Sequence, residues 1–456
     1  MSRLSASYRD PSGFVFHDEG TVKRQINPVF FDQYDAVKQS GIFEALFEKG
    51  WLIPHQEIHR DSEKIILLPE QIPFITYPYE WSFTQYKHAA QLTLRLQMFL
   101  LKNGFSLKDA SAFNITFYQG KAVFIDTLSI EHYTPGDPWR ALLQFEMHFF
   151  SILLLSQKHG TQYLKTLASE INGKDLKETS KLLGLKSRFH PVIYPNIHLM
   201  AKGDSNKSPK TSKEITPSLS KESQLKILKV LESHISRMTL SETTEWTEYY
   251  NQTNYDQKAF ELKKILVNSW SEGINATKAI DLGGNDGTFA RELPSSVLQT
   301  LVSDIDQAAI DHCYKTELKS TKGTRILPMV CDLMQPSPAI GFANMERESF
   351  VKRVQKFQPD LSLALALVHH ITLTGNVPFE MSAAFFASLS EHLIIEFPDR
   401  EDSWVKYILD SKRDARHLFD GYGVSAFAKA YSQFYHIDKQ EIIPSTHRTL
   451  FLMRRK

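Results

Sequence analysis

The chain has 456 residues, 42% of them hydrophobic, with 53 basic and 52 acidic side chains and a formal net charge of +1; it is long for one core and sufficient for two. That balance excludes an electrostatic track for nucleic acid or an anionic membrane surface. Two cysteines, Cys313 and Cys331, exclude a disulfide scaffold or a zinc cluster, and MSRLSASYRDPSGF lacks the apolar centre of a signal peptide, so a reducing, cytoplasmic setting is expected.

In chain order, SGFVFHDEGTVKRQINP (12–28) alternates and turns as a hairpin. FFDQYDAVKQSGIFEALFEKG (30–50) is helical by spacing. IILLPEQIPFITYPYEWS (65–82) reads as strand, turn, strand, and TQYKHAAQLTLRLQMFLLKNG (84–104) as a long helix. Next comes LKDASAFNITFYQGKAVFIDTLS (107–129), where four residues separate Asp109 from Asn114, a short hairpin follows, and Asp126 ends its second strand. ALLQFEMHFFSILLLSQKHG (141–160) is interrupted by Glu146 and His148 and is too short to span a bilayer.

The spacing of Asp109, Asn114 and Asp126 resembles the catalytic and metal-binding loops of the protein-kinase and aminoglycoside-kinase fold. The resemblance implies that one Asp orients an acceptor hydroxyl, while Asn and the second Asp hold magnesium on phosphates. ITYPYEWS is then a hinge between lobes, and Lys23 or Arg24 the phosphate-binding cation. The chain departs from that pattern. No His or Arg precedes Asp109 in the usual way, IDTLS stands in place of Asp-Phe-Gly, and no clean glycine loop is visible. The other reading is an α+β domain in which Asp109 and Asn114 organise a turn.

AKGDSNKSPKTSKEITPSLSKES (201–223) is rich in Ser, Lys, Pro and Thr with almost nothing to bury, which predicts a flexible linker. The expected organisation is an N-terminal α+β domain over 1–200, a linker over 201–221 and a second domain over 222–456. In that second domain QLKILKVLESHISRM and YDQKAFELKKILVNSWSEGI are helical by spacing. The runs KAIDL, QTLVSD, RILPMVCD, DLSLALAL and HLIIEF are continuously apolar, as strands covered on both faces should be. Alternating with helix-length segments, they predict a Rossmann-like, doubly wound parallel sheet, an α/β fold. QFYHIDKQEIIP and HRTLFLMRRK, joined by STH, predict a terminal antiparallel hairpin closing its edge.

Ligands of such sheets bind at the carboxyl ends of the strands. The tips carry Asp281, Asp304, Asp332, His369 with His370, and Glu396. The loop Gly283-Gly284-Asn285-Asp286-Gly287 fits neither a phosphate loop nor a dinucleotide fingerprint. Asp281 and Asp286 repel a pyrophosphate and suit a cation. S-adenosylmethionine meets these requirements: it carries an ammonium and a sulfonium and no phosphate. Glycines admit its amino-acid tail, Asp304 is placed to accept both ribose hydroxyls, and Asp332 with the Leu333 amide to meet the adenine.

DLGGNDGTFAR, VSDID, MVCDL, LALVHHI and LIIEF together resemble class I S-adenosylmethionine-dependent methyltransferases. WTEYYNQTNYDQKAFELKK and CDLMQPSPAIGFANMERESF resemble more closely the NoeA-related, nodulation-associated group, over roughly residues 242–456. Asn285 stands where the broader superfamily has the middle glycine. The resemblance implies a lid formed by Trp246, Tyr249, Tyr250 and Tyr255, with Tyr249 or Tyr250 meeting the methionine end; the alternative is a helix packing on the core. For a hydroxyl acceptor His370 is the candidate general base and His369 its alternate; both can equally shape the pocket. Glu396 reads as acceptor contact or helix cap. The expected function is methyl transfer from S-adenosylmethionine to a small or saccharide-containing acceptor, with no metal site and no nucleic-acid partner. The competing functions are a catalytically silent S-adenosylmethionine-binding regulator and a phosphotransferase working through the first domain.

Overall fold

A computed structural model describes residues 2–203, 218–240, 256–320 and 324–456. The chain divides into two compact units, Met1–Ser241 with Pro338–Glu348, and Glu242–Ser337 with Ser349–Lys456.

In the first unit β1 (Ser2–Arg3), β2 (Gly13–Asp18), β3 (Thr21–Ile26), β4 (His55–Arg60) and β5 (Ile65–Pro69) form a five-stranded sheet ordered β1-β2-β3-β5-β4. Every pairing is antiparallel. The β2–β3 turn places Glu19 and Gly20 at φ of 50° and 77°, the twist-matched geometry of a two-residue hairpin. The expected helix over 30–50 is two helices, Phe31–Gln39 and Ile42–Glu48, because Gly41 turns left-handed at φ 73° between them. The strand expected after IILLP does not form. Tyr77 and Pro78 instead open a 3-10 turn, Pro78–Glu80, closed by the Tyr77 N–H donating to Glu80 at 2.9 Å. β5 pairs instead with β3 and with β4, and the HQEIHR of β4 is mostly exposed and so carries no apolar alternation to read.

Helix Phe83–Lys102 starts on a reciprocal cap between Ser82 and Gln85. Then come β6 (Phe105–Leu107), β7 (Ile115–Tyr118), β8 (Lys121–Phe124) and β9 (Ile130–His132); β6 pairs with β9, and β7 with β8 as the expected hairpin. Helix Lys221–Ser236 packs on Phe83–Lys102 and belongs to this unit, which moves the boundary expected at 222 to 241. The reason is its apolar stripe. Leu228, Leu231 and Ile235 are buried, and Glu232 among them accepts from Arg95 at 2.9 Å. Most of the proposed linker, residues 204–217, lies outside the described residues.

The second unit holds β10 (Lys278–Leu282), β11 (Gln299–Asp304), β12 (Ile326–Val330), β13 (Leu361–Ala364), β14 (His392–Pro398), β15 (Tyr435–Ile443) and β16 (Arg448–Arg455). They form a seven-stranded sheet ordered β12-β11-β10-β13-β14-β16-β15. The five strands from β10 to β14 run parallel. The β15–β16 hairpin adds antiparallel at the edge beside β14. Strand order reverses at β10, which lies between β11 and β13; a crevice opens at such a point, beyond the carboxyl ends. Alternation places Ala279 of β10, Ile394 of β14, and Leu450 and Leu452 of β16 in one apolar cluster with Val267 and Trp270 of helix Gln257–Gly273. Among the described residues no helix is long and apolar enough to cross a membrane.

Glu146 gives a test of the first unit's core. It opens a π-helical turn, Glu146–Phe150, between helices Leu142–Phe145 and Ser151–His159. Its side chain is fully buried with both carboxyl oxygens unpartnered, and burial raises its pKa well above the ordinary carboxylate value. A raised pKa means a stabilising contribution present in acid and lost as pH rises. Glu146→Met should therefore stabilise the protein at about pH 8, by roughly 1–3 kcal/mol, and less at about pH 5. Melting temperatures at both pH values check it, and a destabilised variant at pH 8 would refute it.

Candidate functional site

A cavity of about 560 Å3 lies in the crevice, lined by residues at the carboxyl ends of β10, β11 and β13 and after β12. Of the expected cofactor residues, Asp281, Gly283, Gly284, Asn285, Asp304, Asp332 and Leu333 line it. Gly287 does not. At φ 81° it caps helix Thr288–Glu292, and a Cβ there would meet Cys313 Sγ at 2.8 Å. Asp286 is also turned away, accepting from the Thr288 N–H at 3.0 Å and hydroxyl at 2.7 Å. Tyr249 and Tyr250, with Trp246 and Tyr255, lie outside the described residues.

Gly284 shows why the loop is bare: a Cβ there would come within 2.7 Å of the Asp281 carboxyl carbon. Asn285 stands in for a glycine by adopting φ 49°, tolerable because its Oδ1 accepts the Asp286 N–H at 2.8 Å. Its own N–H donates to Asp304 Oδ2 at 2.9 Å, and the Asp306 N–H donates to Oδ1 at 2.9 Å. These bonds hold the Asp304 carboxylate at the tip of β11, while burial pushes it up to about 6. Asp332 is oriented in the same way, by the Met334 N–H at 2.9 Å.

Asp281 shares the face of Ala279, so it points to the side covered by helix Gln257–Gly273. Its Oδ2 is buried without a partner. Burial, then Asp304, raise it to about 7. On that same face lie Lys263 of the helix and Glu396 of β14. Lys263 Nζ donates to Glu396 Oε2 at 2.9 Å and sits 4.6 Å from the centroid of Phe289. Arg448, at the start of β16, reaches within 3.6 Å of Glu396 and donates from Nε to Asp402 Oδ2 at 2.7 Å. Glu396 is thus neither acceptor contact nor helix cap but a fully buried counter-ion. Lys263, missed in sequence, has a signal there: it falls in register with Ala259, Val267 and Trp270, the buried positions of its helix.

His370 lines the cavity and His369 does not. His369 is 1% exposed, its Nδ1 unpartnered, its ring 4.1 Å from that of His370. Burial, then Arg448, lower His370 to about 4, so it stays neutral through the range where an ordinary histidine titrates. Around it the wall is Met334, Ile371, Thr374 and Gly375.

In the first unit the structure does bring Asp109, Asn114 and Asp126 together. Burial raises the Asp109 pKa, Asp126 adds to the rise, and Asn114 opposes it. Arg24 Nη1 donates to Asp126 Oδ1 at 2.6 Å, whereas Lys23 turns to Asp18 at 2.8 Å. Asp126 also accepts from the Leu128 N–H and the Ser129 hydroxyl.

No protein-family model matches the chain. The nodulation protein NoeA of Rhizobium meliloti (strain 1021) is 30% identical over 467 residues, covering 99% of this chain and 96% of that protein. Among solved structures, the N-methyltransferase NodS from Bradyrhizobium japonicum WM9 is 11% identical with a TM-score of 0.31, over 44% of this chain and 98% of its own. The magnesium protoporphyrin IX methyltransferase ChlM from Synechocystis PCC 6803, with bound SAH, is 16% identical with a TM-score of 0.30, over 45% of this chain and 89% of its own.

The cavity predicts proton-linked uptake of a cationic ligand. Protonated Asp281 must ionise to face an ammonium, so affinity should rise with pH up to about 7 and then level off. Titration calorimetry with S-adenosylhomocysteine from about pH 6 to about pH 8 should show affinity rising roughly tenfold per pH unit at most, with an enthalpy that depends on buffer ionisation. Asp281→Asn should flatten the profile. A flat wild-type profile would place the ligand ammonium elsewhere.

Proposed function

We propose that this chain, which belongs to the family of the nodulation protein NoeA, transfers a methyl group from S-adenosylmethionine to a small or saccharide-containing acceptor. The observation that carries this reading is the set of three carboxylates, Asp281, Asp304 and Asp332, around one crevice whose floor is a glycine loop. Anionic walls with close-approaching backbone suit a ligand that has cationic groups and a ribose diol and no phosphate. The cofactor, when bound, supplies an electrophilic methyl on a sulfonium. The protein's part is positional, since in-line displacement needs the acceptor held on axis more than it needs chemistry from side chains.

In this reading Asp304 accepts from the ribose, Asp332 and Leu333 frame the adenine, and Asp281 meets the ammonium. His370 faces the acceptor. A neutral imidazole accepts a hydrogen bond from an acceptor hydroxyl and takes its proton as the new bond forms. The surrounding Met334 and Ile371 give an apolar wall, and the chain's balanced charge provides no nucleic-acid track.

Incubation with labelled S-adenosylmethionine and a fractionated host extract should label a small or saccharide-containing molecule. At saturating S-adenosylmethionine, where the pH dependence of cofactor binding does not enter, turnover should stay flat through pH 6.5 and fall only toward about pH 4, following the lowered His370. His370→Ala should lose roughly 10²–10⁴-fold in turnover with cofactor binding intact. Label confined to RNA or protein would remove the acceptor assignment, and binding without any labelled product would favour a silent regulator.

The convergence of Asp109, Asn114 and Asp126 favours a second reading, phosphotransfer in the first unit. Against it, Asp126 already has a cation: the Arg24 guanidinium donates to its Oδ1 at 2.6 Å. ATP with magnesium should therefore leave the melting temperature unchanged; a magnesium-dependent rise that Asp126→Ala abolishes would establish the second activity.

A further inference from the structure

Three carboxylates line the cavity, and Lys263 is the one Lys or Arg among its described lining residues. Its position follows from the fold. Alternation along β10, β14 and β16 puts Asp281, Glu396 and Arg448 on the same face as Ala279, Ile394 and Leu450. Helix Gln257–Gly273 covers that face with Ala259, Lys263, Val267 and Trp270. The apolar cluster is therefore capped, at the carboxyl end of the sheet, by charge. Lys263 is 2% exposed and tethered by Glu396 at 2.9 Å, so its ammonium is a positive charge held in place at the wall.

We infer that Lys263 binds the carboxylate of the cofactor's amino-acid end, opposite Asp281, which takes the ammonium. The inference rests on the reading of the cavity as an S-adenosylmethionine site. Its chemistry is that of a zwitterion. An α-carboxylate and an α-ammonium leave one carbon atom, so their partners must carry opposite charges and lie close together. Asp281 and Lys263 meet that condition: both line the cavity, each acts electrostatically on the other, and Asp281 Oδ2 is buried without a protein partner. A carboxylate placed instead against Asp304 or Asp332 would meet like charge.

A purely structural role, neutralising Glu396, is the competing account. Arg448 weakens it, since its guanidinium, a second cation, already lies 3.6 Å from that carboxylate. The two accounts differ in what they predict for ligands that lack the carboxylate.

The test is titration calorimetry of the full chain with four probes: S-adenosylmethionine, its decarboxylated form, S-adenosylhomocysteine and 5′-methylthioadenosine. Wild-type protein should bind decarboxylated S-adenosylmethionine at least about tenfold more weakly than the intact cofactor, the range of a charge-assisted hydrogen bond. Lys263→Met should weaken S-adenosylhomocysteine by about tenfold or more while leaving methylthioadenosine within about twofold, and Lys263→Arg should recover part of the loss. Equal wild-type affinity for the intact and decarboxylated cofactors would overturn the inference without any variant. So would a Lys263→Met protein that loses all four probes in proportion, the mark of a structural lysine. Wild-type protein that binds none of them would instead defeat the cofactor reading itself, and the inference with it.

Discussion

A buried ammonium has no cheap place in a protein, and the second unit is organised around one. Lys263 ties its helix to Glu396 of β14, and Arg448 of β16 ties the same carboxylate to Asp402. Removing such charges from water costs several kcal/mol per ion, offset only when every partner is in place. Four groups from the helix, the last parallel strand, the loop after it and the terminal hairpin must therefore close together or not at all. The hairpin is part of the site's foundation: β16 pairs with β14 so that Arg448 stands opposite Pro398, one turn of the pleat beyond Glu396.

The crevice beyond this cap acquires its character from backbone rather than side chains. The Asn285 and Asp306 N–H groups fix Asp304, and the Met334 N–H fixes Asp332. Oxygen acceptors are thus held at several points around a floor from which Cβ atoms have been removed. Such preorganisation leaves little reorganisation to a ligand that arrives with donors and positive charge. Burial lifts both Asp281 and Asp304 above the ordinary carboxylate range, and at Asp281 the neighbouring Asp304 adds to the rise.

How much of this was legible depended on what the residues bury. β10, β11 and β14 read directly because both faces are covered and the runs are continuously apolar. The terminal hairpin read from the lack of any helix between two extended segments. β4 did not, because an exposed edge strand has no apolar alternation. Gly287 and Gly283 look alike in sequence, yet one caps a helix and the other lines the cavity; only chain direction after β10 separates them. Lys263 was hidden by its type, since a lysine at a helical position reads as solvated unless the buried register of its neighbours is followed. His370 lines the cavity, but its depressed basicity, which comes from burial and from Arg448, 78 positions later, has no signal in the local sequence.

The excursion Pro338–Glu348 is flanked on both sides by second-unit chain, yet belongs to the first unit. There Glu346 accepts from Arg9 at 2.8 Å and Tyr8 at 3.1 Å, and Arg347 lies 4.5 Å from the centroid of Phe113. On the ribosome this inverts the usual order, in which an N-terminal domain is complete before the next begins. Arg9 and Tyr8 emerge early and wait for a carboxylate made more than three hundred residues later. At roughly 5–20 residues per second, the gap between the end of Met1–Ser241 and the arrival of Glu346 is about 5–20 s. Through that interval the first unit exists without its last segment, while β10, β11 and β12 are already being made.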